Sequence, residues 1–419
     1  MFQDGRRISL AWSIDVGSPY HQQDTDYYCG AAVAQMVLDS IGSGLLDQDV
    51  LYNSNHSHNT LSGWATDPNG LRYTLNNLMP PPPTFDSFFV VDTRDAEALL
   101  SHVIASTLWV YKVAPCVLVE GSAHWIEVHG VQTDVDPISN ATYNLNGFMI
   151  HNPWPYVPSF VNPMLAPPPP HSGTDGCGSG GTRGDVNEYA AYDTTWKDTY
   201  LTGADVWGVG HSQFIAVCDP RRPKFGELNM RRQRGPMTRG DRIIDPEEVE
   251  RYTVRGIEMH DLLSNKVFNT VLKGARASKP LLVQRLDLPD TFYYLTPMLS
   301  GETVTSVLSV DGRFGDFRGA LVLGREKNEQ GQGSRSHIID REEVLKKVLS
   351  NPLELRSELG RLTVREGAFC LYPTLVWRPC KESLSPYYPF YMLTVGGRTI
   401  YIGYDGTVYT QLHNASPGS

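Results

Sequence analysis

The order of apolar, small and polar positions marks out the elements of this chain. From Cys29 the run Cys29-Gly30-Ala31-Ala32-Val33-Ala34-Gln35-Met36-Val37-Leu38 is small or helix-forming, and Gly42 can end it. A helix is therefore expected to open at Cys29. Ser122-Ala123-His124-Trp125-Ile126-Glu127-Val128-His129-Gly130 reads as a strand with small residues before its first histidine. Phe148-Met149-Ile150-His151-Asn152-Pro153-Trp154 reads as another strand running into a turn. The proline runs Pro80 to Pro83 and Pro167 to Pro170 exclude helix interiors and central strands. The second leads into a Gly-rich stretch, 172–184, that reads as a surface loop.

The C-terminal half carries an internal repeat. Ile243-Ile244-Asp245-Pro246-Glu247-Glu248-Val249 returns as Ile338-Ile339-Asp340-Arg341-Glu342-Glu343-Val344. Leu282-Val283-Gln284-Arg285 returns as Leu375-Val376-Trp377-Arg378, and Phe292-Tyr293-Tyr294-Leu295-Thr296 as Phe390-Tyr391-Met392-Leu393-Thr394. Asp311-Gly312 returns as Asp405-Gly406, so the offsets are 95, 93, 98 and 94 in one order. Each copy opens on a helix start: Asp245 and Asp340 at the N-cap, Glu248 and Glu343 three residues on as in a capping box, and Pro246 at the first helical position. Each ends in strands around an Asp-Gly turn. The unit is thus a helix followed by an antiparallel sheet.

With 419 residues, the chain exceeds one ordinary domain. The pattern divides it into 1–222, a basic linker 223–242, a first repeat 243–325 and a second 336–413. The linker reading rests on Arg221 to Arg242, where eight arginines and lysines face only Glu227 and Asp241. A net charge of -10 gives no reason to expect nucleic acid or an anionic membrane as partner. No apolar run of about 18 residues is present, and the start has no signal-peptide stretch, so no membrane span and a cytoplasmic location are expected. The six cysteines form no Cys-x-x-Cys pair, which leaves zinc knuckles and redox motifs without support.

The candidate chemistry gathers around Cys29. At a helix N-terminus the free N–H groups and the dipole favour a thiolate, and a lowered thiol pKa is expected. Gln23, six residues earlier, can donate to a developing oxyanion together with the Cys29 N–H, and Gln22 competes for that role. A base must come from elsewhere. On an unbroken strand His124 and His129 point to opposite faces. His124 is chosen because small neighbours open its end of the strand, and His129 reads as a structural histidine. Asn152 can fix the imidazole tautomer, and Trp154 can cover that bond from water.

The order Gln-x5-Cys-Gly, a His on a strand, then Asn-x-Trp resembles the papain-like cysteine peptidases. The Cys-Gly-Ala-Ala helix and the Gly-Ser-Ala-His-Trp strand look most like the bacteriocin leader-peptidase-like branch. The likeness covers about Tyr20 to Asn162, with Ser212 to Val217 as a final barrel strand. It implies an α+β chain: a papain-like domain, its central helix packed on an antiparallel sheet, followed by the two repeated units. It implies Cys29 as nucleophile, His124 as base, Asn152 as orienter and Gln23 in the oxyanion role. The activity implied is cleavage of a peptide or protein substrate through a thioester, with no metal or organic cofactor. The chain departs from that branch in having Asn152 where Asp is usual, in a Cys-to-His distance shorter than papain's, and in its proline-rich loops after Asn152. The repeats resemble PepSY or cystatin-like modules, some of which inhibit peptidases. They are therefore expected to control access to the Cys29 cleft, by intramolecular contact, or to bind a partner. The competing reading is a catalytically silent papain-like module that binds peptides.

Overall fold

In a computed structural model, alternate residues of the central strands supply two separate hydrophobic layers. The structure describes residues 12–25, 27–80, 87–140, 142–154, 187–205, 210–219, 242–323, 337–338, 340–350, 373–395 and 398–414. The second proline run, the Gly-rich stretch, the basic linker up to residue 241, and Cys177 and Cys370 lie outside the described residues. In the strand Gln213–Cys218, Ile215 and Val217 feed one layer, while Phe214, Ala216 and Cys218 feed the other. A strand buried on both faces needs no polar positions, which is why this one reads as a continuous apolar run.

The described elements run β1 (Trp12–Asp15), α1 (Cys29–Ser40), α2 (Gln48–Ser57), α3 (Pro68–Leu78), β2 (Phe89–Arg94), α4 (Glu97–Ser106), β3 (Cys116–Val119), β4 (His124–Thr133), β5 (Leu145–His151), β6 (Asn187–Ala191) and β7, the Gln213 strand. They continue with α5 (Pro246–Met259), α6 (Lys266–Leu272), β8 (Arg276–Ala277), β9 (Leu281–Arg285), β10 (Phe292–Ser300), β11 (Thr303–Asp311) and β12 (Phe317–Val322). Last come α7 (Arg341–Ser350), β13 (Thr374–Trp377), β14 (Phe390–Val395), β15 (Arg398–Ile402) and β16 (Val408–Tyr409). All these strands belong to one mixed sheet, ordered β16-β15-β14-β13-β9-β10-β11-β12-β2-β7-β3-β4-β5-β6, with β1 beside β4 and β8 beside β10. Among the described residues, only β12–β2 and β13–β9 pair in parallel. The β12–β2 ladder joins the two halves of the chain directly. Helices α1 and α3 contribute to one hydrophobic layer, and α4, α5 and α6 to the other.

Helix α1 is buried from Gly30 to Leu38, as a helix inside a layered core must be. Its end follows from Gly42, whose φ of 93° is open to glycine. Gly42 N–H donates to Asp39 O at 3.0 Å and Ser43 N–H to Leu38 O at 2.9 Å, the paired bonds of a Schellman motif.

Helices α5 and α7 start where expected, but their caps differ. Asp340 accepts from Glu342 N–H at 2.7 Å. Asp245 makes no side-chain cap bond; its carboxylate is drawn instead to Arg242. The capping box expected at Asp245 and Glu248 is therefore not formed. Among the described residues, α5 and α6 precede strands β8 to β12 and α7 precedes β13 to β16, and Asp311 and Asp405 each cap the turn after a strand.

Candidate active site

Three segments converge at the N-terminus of α1. Its N-cap residue, Tyr28, supplies no side-chain cap, so the first-turn N–H groups are left for the Cys29 thiol, which interacts with those of Cys29 and Gly30. Gly30 is required by space: a Cβ there would sit 2.6 Å from the Thr66 side chain. The thiol also lies close to the Trp125 backbone N–H, so it meets β4 one residue after His124. The loop before the helix is tied to the third segment, since Gln23 N–H donates to Pro153 O at 2.9 Å.

His124 opens β4 directly after a tight turn. Glu120, Gly121 and Ser122 all have positive φ, 54°, 63° and 71°, and two of the three are not glycine. Such conformations persist only where the surroundings over-determine them. The imidazole is buried, and its Nε2 lies 2.9 Å from Asn152 Oδ1. Trp154 N–H donates to the same Oδ1 at 3.1 Å, which identifies that atom as the oxygen. A neutral ring must then carry its proton on Nε2, leaving a lone pair on Nδ1. Nδ1 is buried and has no hydrogen-bond partner among the described residues. The Trp154 ring stacks on the imidazole at 5.3 Å between centroids and an angle of 30°.

The electrostatics reverse one expectation. Burial pushes the Cys29 thiol above its ordinary pKa, outweighing the N–H groups of Trp125, Gly30 and Cys29 that pull it down. The helix N-terminus acts in the anticipated direction but is the smaller effect. Burial likewise lowers the His124 pKa to about 4, against a hydrogen bond donated to Asn152 that raises it. At neutral pH the pair is a thiol and a neutral imidazole, not a preformed ion pair.

Gln23 is buried, and its side-chain N–H donates to Thr25 O at 2.6 Å, while Oε1 finds no partner among the described residues. Gln22 is also buried, and its carbonyl accepts from Gln48 Nε2 at 2.8 Å. One Gln23 donor is thus spent locally and a second remains on the same amide nitrogen. Strand β4 is not unbroken: its register with β5 shifts between Val128 and Gly130. The parity argument separating His124 from His129 therefore fails beyond Val128, and the two rings are distinguished by their partners. His129 Nδ1 lies 3.0 Å from Asp15 Oδ1, and the ring stacks on His151 at 4.0 Å. His151 Nδ1 lies 2.9 Å from the buried Glu127 Oε2, whose other oxygen accepts from Ser18 Oγ at 2.6 Å. His211 stands apart, at the start of β7, with Asp95.

Sequence reasoning did not find the Trp125 N–H, because a backbone donor leaves no trace in residue type. Nor did it find the Glu127–His151 pair, which flanks Asn152 on the adjacent residue. A glutamate inside an apolar strand was the available signal. No family model matches the chain, and no curated protein or solved structure matches it.

Proposed function

We propose that the chain is a papain-like cysteine peptidase that cleaves peptide or amide bonds through a thioester acyl-enzyme. One observation carries the reading. His124 is held by Asn152 in the Nε2–H tautomer, with its Nδ1 lone pair unspent, at the strand end that meets the Cys29 thiol. As a substrate carbonyl approaches, Nδ1 takes the thiol proton and sulfur attacks the carbonyl carbon. The oxyanion forms against the Cys29 N–H and the second N–H of Gln23. The imidazolium returns its proton to the leaving amine. His124 then deprotonates a water that attacks the thioester, releasing the acid and restoring the thiol. Asn152 keeps the ring oriented throughout.

In this reading residues 1–222 form the papain-like part, and 243–325 and 336–413 are two copies of one unit. The recurring helix-and-strand order and the mirrored placement of β9 and β13 support the second point. The copies control access to the Cys29 cleft or bind a partner. Among the described residues no helix is long and apolar enough to cross a membrane. A second reading, a silent peptide-binding module, draws on the raised Cys29 pKa and on the Gln23 amide turned to Thr25.

The test is hydrolysis of a peptide library by the full chain and by Cys29→Ala, alongside labelling with a thiol-directed acyl probe. Turnover and labelling that both vanish in Cys29→Ala support the peptidase. Retained turnover in that variant overturns Cys29 as nucleophile. Peptide binding without turnover or labelling favours the silent module.

A further inference from the structure

At the seam where β9 and β13 run parallel, a cleft opens between the repeat strands and the loop leading into α3. Its two walls differ in charge. Asp67 and Asp92 line the N-terminal wall, and Arg285 and Arg318 line the wall made by the repeats. Leu61, Ile215, Tyr293 and Pro386 make much of the remainder apolar.

The basic wall has donors to spare. Arg285 gives Nε and Nη2 to Asp287, and Arg318 gives Nη2 to Asp311. A guanidinium has five N–H groups, so each keeps donors beyond its intramolecular pair. Trp377, the register partner of Arg285, lies with its ring centroid 4.8 Å from that guanidinium. Trp377 is fully buried and lines the cleft, yet its Nε1–H has no acceptor among the described residues. A buried N–H without an acceptor calls for a ligand atom or water. Asp67, by contrast, is fully occupied: it accepts from the N–H groups of Thr60, Leu61, Asn69 and Gly70.

We propose that this cleft binds a small carboxylate with an apolar or aromatic body. The carboxylate takes donors from Arg318, Arg285 and the Trp377 Nε1–H. The acidic wall drives it to that side, and the body lies against Leu61, Tyr293 and Pro386. Neither Cys29 nor His124 lines the cleft, so the proposal stands whether or not Cys29 is a nucleophile.

Calorimetric titration of the full chain tests this with four probes: 3-phenylpropanoate, 3-phenylpropanol, 3-phenylpropylamine and acetate. The phenylpropanoate is expected to bind at least about tenfold more tightly than the alcohol or the amine, since charge-assisted bonds to arginine carry that much. Acetate, lacking the body, is expected to show no measurable heat. Arg318→Gln should weaken the acid about tenfold and leave the alcohol unchanged. Trp377→Phe, which keeps the ring and deletes the donor, should weaken the acid by several-fold, so the test survives a poorly folded Arg318 variant. Cys29→Ala should bind like the parent. Three results would overturn the proposal: no binding of the phenylpropanoate at millimolar concentration, equal binding of acid and alcohol, or acid binding lost on removing Cys29.

Discussion

Acid should destabilise this protein through His124, and by an amount that can be worked out. The ring is buried, its Nε2 is bound to Asn152, and burial lowers its pKa from 6.5 to about 4. Above pH 6.5 the imidazole is neutral in folded and unfolded chains alike, so it adds no pH dependence. Between pH 6.5 and about 4 the unfolded chain takes up a proton that the folded state refuses. Stability therefore falls as pH falls through that window. The full effect is about 3 kcal/mol, of which about 2 kcal/mol is lost by pH 5. His337 is buried too, with its pKa lowered to about 3, and it acts in the same direction. The contribution of His124 is isolated by comparison with His124→Gln. Urea unfolding of both proteins from pH 7.5 to pH 5 should show the wild-type advantage shrinking by about 2 kcal/mol. In NMR spectra the His124 Cε1–H should titrate near pH 4. A stability difference that stays constant with pH, or a midpoint near 6.5, would refute the assignment of burial as the dominant influence on this ring.

Limiting iodoacetamide at neutral pH should label Cys29 ahead of Cys116, Cys218 and Cys380, which are all buried, as mass spectrometry would read. Asn152→Ala orphans the Nε2–H of a buried ring and should cost about 1–3 kcal/mol in urea unfolding, while Asn152→Asp should raise the His124 pKa in NMR titration. Glu127→Ala removes the acceptor of both Ser18 and His151 and should cost at least about 2 kcal/mol by the same assay. Gly42→Ala forces a side chain into positive φ and should cost about 1 kcal/mol, with no change in Cys29 labelling.

Some of this molecule is set by rules that act over a few residues. Helix α1 opens at Cys29 and closes at Gly42 because small, helix-forming residues end at one that tolerates positive φ. Asn152 is legible because it stands at an Asn-Pro turn closing a strand, and Asp405-Gly406 because it is a turn signal between strands. Other features depend on what arrives from far along the chain. The thiol pKa is decided by desolvation, a sum over every group packed around Cys29, so the helix N-terminus alone predicts the wrong sign. The bulge at Val128–Gly130 depends on how β5 docks, and alternation within β4 cannot reveal it. Asp245 makes no side-chain cap bond and pairs with Arg242 outside the helix, a choice that the cap pattern alone does not encode. The same holds at the largest scale. Apolar strands announce that both their faces will be covered, but not which strand will lie alongside. The ladders β12–β2 and β13–β9 are backbone pairings that carry no residue code. Through them the sheet runs across both halves of the chain and sets Arg285 beside Trp377.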